Sequence, residues 1–444
     1  MREFQSLWLA HALSMTGNYL LSVAVTVLVF QQTESALVAG VTMALTFLPQ
    51  IIAGPLLSGL ADILPRRRVL IASDLVRAVL VAGIGIPGLP LWAIWTLLFC
   101  SILPMVPFSA ARAALMTEIV QGERFIAASA IINITSQAGT LIGLVAGGWV
   151  VAAIGPNSAV MYNGLTFVVS AVIIILGVRS RPAPTGARGG RGERGERPSL
   201  WEVTRGGTRL VFGDSRLRTL GLLAWLAGFY MVPYGLANPL AAEVGGGPMA
   251  AGLIMAGPSM GAVVGGFVLT RLVSPDTRIR LLGPLAVAAS VPLLAWALQP
   301  PLWAMVALLA FSGMTASYQI VANAAFVLCV PAEGRGLAFG LVAAGLQAAQ
   351  GIGIALASLL AETAGTHVVV TTAGILGIAG ALALAFPWSR LSTGTIALMH
   401  PPPAESASAD PAPEPAPAPT PSTTPEDPTS AAPAPRRSEP DTDA

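Results

Sequence analysis

The sequence predicts an all-α membrane protein, with twelve transmembrane helices arranged as two six-helix halves. Three observations carry this expectation: a large apolar excess, twelve hydrophobic runs of spanning length, and arginines confined to every second connection. Of 444 residues, 54% are hydrophobic and only 10% charged, and the mean hydropathy is +0.72. A soluble domain carries about 25% charged residues, and a core buried in water does not need this much apolar surface.

A helix crossing the hydrocarbon core needs about 20 mainly apolar residues. The first half holds such runs at roughly 7 to 30, 36 to 60, 69 to 87, 91 to 111, 125 to 153 and 157 to 178. The second holds them at roughly 219 to 242, 248 to 270, 279 to 298, 301 to 325, 336 to 361 and 366 to 388. Helices are expected because a backbone in lipid must satisfy its own hydrogen bonds, and a barrel would present short alternating segments instead of continuous runs. The N-terminus has one Arg before a long apolar span and no small-residue cleavage site at the usual distance, so it reads as a retained first helix.

All 24 basic residues are Arg. They follow spans 2, 4, 6, 8, 10 and 12, with Arg2 before span 1, while the alternate loops contain none; Arg77 alone falls within a span. By the positive-inside rule both termini and the central connection are cytoplasmic, in the plasma membrane. The expected organisation is a six-helix half over 1–178, an Arg, Gly and Pro-rich linker over 179–218, a second half over 219–390 and a disordered Pro/Ala-rich tail over 391–444. With a net charge of only +2 and basic residues clustered beside spans, nucleic acid is excluded as a partner.

Enzyme chemistry finds no foothold. Cys100 and Cys329 lie in separate apolar segments, and His11, His367 and His400 have no zinc spacing. No Gly-x-Ser-x-Gly or phosphate loop is present. No cofactor or metal is expected. His11 reads as an interfacial histidine, and Glu34, Glu243 and Glu362 as solvated caps at the outer ends of spans 1, 7 and 11.

The halves repeat. Ala111, Arg112, Ala113 and Ala114 match Ala322, Asn323, Ala324 and Ala325, and Arg124 matches Arg335 at the same offset. Duplicated halves with the substrate site between them are a recurring transporter plan.

After span 2 comes Ser58-Gly59-Leu60-Ala61-Asp62-Ile63-Leu64-Pro65-Arg66-Arg67-Arg68, which resembles the signature of the major facilitator superfamily's second cytoplasmic link. It departs from the pattern with Ser58 for the leading Gly, Ile63 for a basic residue and Pro65 for the turn Gly. The resemblance implies the major facilitator fold and a latch between halves formed by Asp62, Arg66, Arg67 and Arg112. An acid at a helix end pairing with Arg in one state only is a physically sound latch. In span 5, Gly139, Gly143, Gly147 and Gly148 are small residues at close-packing spacing, similar to the glycine-rich motif of major facilitator antiporters, with Gly143-Leu144 where that motif has Gly-Pro. The stretches Ile71–Ala78, Ala110–Ala130 and Gly155–Ser170 look like the branch that exports drugs, macrolides and siderophores, which implies efflux.

Intramembrane polar residues are costly and therefore candidates for a substrate path. These are Asn18, Tyr19, Asn133, Gln137, Tyr230, Tyr234, Asn238, Tyr318, Gln319, Asn323, Gln347 and Gln350, each with interhelical hydrogen bonding as the alternative. They describe a neutral, aromatic and amide-lined cavity for an amphipathic organic molecule. Asp74 is the one carboxylate placed inside a span, with Arg77 three residues on. The two are either a proton-coupling site, exchanging a proton when their pairing changes, or a permanent ion pair tying span 3 to the latch. The expected protein is thus a monomeric secondary transporter exporting small molecules, with protons as the candidate driving ion and the lipid bilayer as its solvent. Uptake on the same fold and a non-transporting sensor or scaffold are the alternatives.

Overall fold

The computed structural model describes residues 2–49, 64–120, 123–181, 200–331 and 335–399. Asp62, with the rest of the 58–63 stretch, lies outside the described residues, as do 182–199 and 400–444. The first half is built from α1 (Arg2–Thr33), α2 (Ala36–Leu45), α3 (Arg66–Ile84), α4 (Leu91–Ile102), α5 (Met105–Ile119), α6 (Glu123–Ile154) and α7 (Pro156–Gly177). After α8 (Leu200–Gly213), the second half follows as α9 (Ser215–Trp225), α10 (Ala227–Tyr230), α11 (Val232–Gly235), α12 (Ala237–Glu243), α13 (Gly247–Arg271) and α14 (Pro275–Ser290). A 3-10 stretch, Val291–Leu298, then leads to α15 (Leu302–Ala316), α16 (Tyr318–Cys329), α17 (Arg335–Ala364) and α18 (Thr366–Met399).

Among the described residues, nine helices or helix pairs are long and apolar enough to cross a membrane. The expected span 2 runs from α2 into residues outside that set. The expected span 7 is not continuous: α9 to α12 replace it, interrupted at Leu226, Met231 and Leu236, with Pro233 in α11 and Pro239 in α12. Proline supplies no N–H and collides with the carbonyl one turn back, so an apolar run with two prolines cannot keep one unbroken ladder. The same effect divides span 4 at Pro104 and turns the end of span 9 into a 3-10 stretch from Val291, with Pro292 in its first turn. Span 10 bends at Ser317, whose hydroxyl reaches the Ala262 carbonyl at 3.2 Å.

The linker carries a helix, and one expected boundary is corrected. Residues 200–213 of the linker form a helix, and Gly207 lies against the Leu337 backbone at the start of α17. The last helix continues to Met399, past the expected boundary at 390.

The outer surface is that of a protein in lipid. Leu176, Phe267, Leu298 and Phe386 are each more than 60% exposed, an arrangement water would penalise heavily. Trp92, Trp149 and Trp303 are exposed near the helix ends away from the arginines, where indole rings suit the membrane interface. Interhelical polar contacts support the packing. Ser312 Oγ donates to the Ala289 carbonyl at 2.6 Å, and Trp388 Nε1 donates to the Ile279 carbonyl at 2.8 Å; such bonds contribute about 0.6 kcal/mol each in a membrane.

The two halves meet along α6 with α13 and α2 with α17. At the arginine-poor end of the second pair, the Glu362 carboxylate accepts from Ser35 Oγ and, at 3.3 Å, from the Leu37 amide, so it caps α2 from across the interface. The Glu243 carboxylate at that same end lies 2.9 Å from His367 Nε2 and accepts from Thr366. Both acids were expected as solvated caps; both are exposed, and each also ties two helix ends together.

Candidate functional site: a cavity between the halves

The glycines of α6 explain how a cavity and a seal share one helix pair. A Cβ at Gly143 would lie 2.5 Å from the Thr16 carbonyl oxygen, and one at Gly147 3.1 Å from Leu20 Cα, so α1 sits directly on these glycines. Gly148 faces the other way, toward Gly252 and the Pro248 carbonyl of α13. The motif therefore packs α6 on α1 and on the opposite half at once.

Below that seal lies a cavity of about 400 Å³ bounded by both halves. From the first half come Asn18, Tyr19, Ser22, Phe47, Arg77 and Thr140; from the second come Tyr234, Ser259, Gln347 and Gln350. Met15, Met43, Met105, Met231 and Met255 also line it, giving flexible, polarisable walls that adapt to differently shaped guests. A volume of this size falls within the range of small-molecule sites, about 300–1,000 Å³.

Of the residues expected on a substrate path, the structure brings Asn18, Tyr19, Tyr234, Gln347 and Gln350 to this cavity. It places the others elsewhere. Tyr230 and Tyr318 are buried between helices of the second half, where Tyr318 Oη donates to the Leu223 carbonyl at 2.6 Å and Gln319 Nε2 donates to Tyr230 Oη. Asn238 is buried, while Asn133, Gln137 and Asn323 are exposed and off the cavity wall. For the Tyr230, Tyr318 and Gln319 group, the interhelical alternative describes what is seen. The methionines escaped sequence reasoning because an apolar residue carries no sign of which face of its helix meets a cavity.

Asp74 and Arg77 are both buried, at 0% and 2% exposure, but they do not form the direct ion pair considered above. Asp74 Oδ2 accepts from Ser170 Oγ of α7 at 2.6 Å, and Oδ1 has no hydrogen-bond partner. Arg77 turns to the cavity side: Nε donates to the Ser101 carbonyl at 3.2 Å, Nη1 to Ser14 Oγ at 3.1 Å and Nη2 to Asn18 Oδ1. Its guanidinium lies 4.1 Å from the centre of the Phe167 ring. Three residues along a helix put two Cα atoms on one face, yet a short carboxylate and a long guanidinium reach different neighbours from there.

At the arginine-bearing end, Arg66 bonds the Ala114 carbonyl at 3.2 Å and pairs with Glu118, while Arg67 Nη2 donates to the Ile175 carbonyl at 2.6 Å. Arg181 links Glu118 to Glu3, at 3.7 and 2.9 Å. None of these contacts reaches the second half. Arg112 Nε is buried without a partner. His11, expected at the interface, is buried, with Nε2 2.9 Å from Ser136 Oγ of α6. Among the described residues no cluster of His, Cys, Asp and Glu is arranged to hold a metal ion.

Known structures share this architecture. The nucleoside transporter NupG superposes with a TM-score of 0.65 at 12% identity, covering 90% of this chain and 99% of its own. A POT family transporter in complex with a thioalcohol-conjugated peptide gives 0.68 at 11%, covering 88% and 96%. A bacterial homolog of the human lysosomal transporter Spinster, inward-facing and unoccupied, gives 0.60 at 14%, covering 89% and 97%. None of the curated proteins matches the chain in sequence. A sequence model of the Major Facilitator Superfamily, however, matches residues 7–299 and, overlapping, 220–425. Two packed halves, a cavity shared between them and this match over most of the chain lead to one conclusion: the protein belongs to the Major Facilitator Superfamily, membrane transporters that work by alternating access.

Proposed function

We propose that this transporter exports small amphipathic organic compounds, drugs or secondary metabolites, from the cytoplasm across the plasma membrane, driven by protons and acting as a monomer. The reading rests chiefly on one observation, the cavity between the halves with its methionine and aromatic walls and a few polar groups. The cross-half bonds of Glu362 and the close approach of Gly148 to Gly252 lie at the arginine-poor end. With the arginine-bearing end assigned to the cytoplasm by the positive-inside rule, the conformation is closed to the outside, the state in which an exporter loads.

Asp62, Arg66, Arg67 and Arg112 are assigned to a latch that holds the cytoplasmic ends together after loading. The confinement of the Arg66 and Arg67 contacts to the first half agrees with a released latch. Asp74 is assigned to coupling: a buried carboxylate with one oxygen held by Ser170 and the other unpartnered can exchange a proton as α3 and α7 shift. The halves are assigned to 1–178 and 219–399, joined by a cytoplasmic linker, 179–218, with a cytoplasmic tail after the last helix.

The test is accumulation of fluorescent and antibiotic compounds in an efflux-deficient host, with and without the protein and a proton ionophore. Expression should lower accumulation of at least some compounds, and the ionophore should abolish the difference. Raised accumulation would establish uptake instead, and no change for any compound would refute the proposal.

A further inference from the structure

A cation buried within a membrane domain is costly, and it pairs with an acid or with backbone carbonyls, or serves a ligand. Arg77 has no acidic partner within ion-pairing distance: the nearest acid along its own helix, Asp74, is engaged with Ser170. A guanidinium stays charged at physiological pH and carries five N–H donors. Three of these go to neutral acceptors, the Ser101 carbonyl, Ser14 Oγ and Asn18 Oδ1, which leaves two. Asn18, whose Oδ1 is taken by Arg77, has an Nδ2 that is buried and without any acceptor.

Arg77 and Asn18 both line the cavity between the halves, and the described lining contains no Asp, Glu or His. That wall therefore offers donors and a positive charge with no acid on the cavity surface; Asp74, behind it on the same helix, acts on Arg77 only through space. Amide and guanidinium donors left bare in a low-dielectric site cost far more than the same groups in water, and a ligand bearing a negatively charged acceptor removes that cost. The remaining walls combine methionine, aromatic and aliphatic side chains with uncharged hydroxyl and amide groups such as Ser22, Thr140, Ser259 and Gln350. The sequence had suggested a neutral cavity, because the residues expected on the substrate path were aromatic and amide side chains and Arg77 was not among them.

We propose that the cargo is an organic anion, a carboxylate or phosphate on an apolar body, with Arg77 and Asn18 holding the charged group. This rests on the cavity's being the transport site, as proposed above, and specifies the class of compound it selects. It also narrows the choice among amphipathic molecules: a lipophilic cation would bring like charge to Arg77 and be disfavoured.

Binding can be measured by calorimetry on the purified full-length protein in lipid nanodiscs, using four probes that share one apolar body: 2-naphthoate, 2-naphthyl phosphate, the neutral 2-naphthamide and the cationic 2-naphthylmethylammonium. At least one anion should bind about ten- to a hundredfold more tightly than the amide, as expected of hydrogen bonds made to a charged group, and the two anions compared tell carboxylate from phosphate. Arg77→Gln should erase the preference, bringing the anions to the affinity of the amide. Asn18→Ala should reduce it several-fold and supplies the test where Arg77→Gln fails to insert. Equal or tighter binding of the amide or the ammonium by the native protein overturns the proposal, as does millimolar binding of none of the four, or a preference that survives Arg77→Gln. Calorimetry needs no transport, so anion binding without cellular export would refute the exporter reading alone.

Discussion

A single methyl group at the contact between α6 and α13 should change which conformations the transporter populates. In Gly252→Ala the new Cβ would lie 2.8 Å from Gly148 Cα, 2.8 Å from the Leu144 carbonyl oxygen and 3.0 Å from the Gly148 nitrogen. All three neighbours are backbone, so no rotamer change relieves the overlap. The helices must separate by about 0.6 Å to reach an ordinary contact of roughly 3.4 Å, and overpacking of this kind costs about 1–3 kcal/mol. In the alternate state, where this end opens, α6 and α13 part and the methyl meets nothing. The cost therefore falls on the closed state alone, and the open-to-closed ratio should rise about 5- to 150-fold. The assay is the labelling rate of a single cysteine at the cavity residue Ser22, in a background lacking Cys100 and Cys329, by a membrane-impermeant maleimide presented from the arginine-poor side. Gly252→Ala should label several-fold faster, and Gly148→Ala, which meets the Pro248 carbonyl at 2.8 Å, should behave alike. Native labelling rates in a well-inserted Gly252→Ala protein would refute the assignment of this contact as a state-dependent seal.

Three other outcomes are expected. Asp74→Asn keeps the side-chain volume and a hydrogen-bonding partner for Ser170, so it should abolish proton-driven transport while leaving downhill substrate movement intact; unchanged proton-driven transport in vesicles would remove Asp74 from coupling. Single cysteines at Ser199 and Gly88 should divide in intact cells, with the impermeant reagent reaching Gly88 and not Ser199; the reverse pattern would invert the topology. Tyr318→Phe removes the bond to the Leu223 carbonyl across the second half and should lower unfolding free energy by about 1 kcal/mol, read as a reduced melting temperature of the detergent-solubilised protein with substrate affinity unchanged. Altered substrate affinity at native stability would return Tyr318 to the cargo path.

How much was legible in the sequence differs sharply between helices and site. Span 8, 248 to 270, and span 6, 157 to 178, are recovered as Gly247–Arg271 and Pro156–Gly177, because a continuous apolar run in lipid has no alternative to the helix. Span 7 was legible as a crossing and not as four short pieces, since a proline announces a break without saying whether neighbouring helices will bridge it. At the site, Asn18, Tyr19, Tyr234, Gln347 and Gln350 were recognised by being polar in apolar surroundings, a signal that equally selected the packing group of Tyr230, Tyr318 and Gln319. The five methionines of the cavity gave no signal at all.

The sequence by itself determined the solvent, the crossings and their alternation, because each follows from local composition: apolar length fixes a span, and the distribution of arginine fixes which connections share a side. Tertiary structure decided everything that depends on pairs of residues far apart in the chain. Ser170 lies 96 residues from Asp74, and Asn18 lies 59 from Arg77, so no spacing rule on span 3 could reveal that the acid and the base turn to different partners. Only packing of α1, α3 and α7 sends the carboxylate to a serine and leaves the guanidinium facing the cavity.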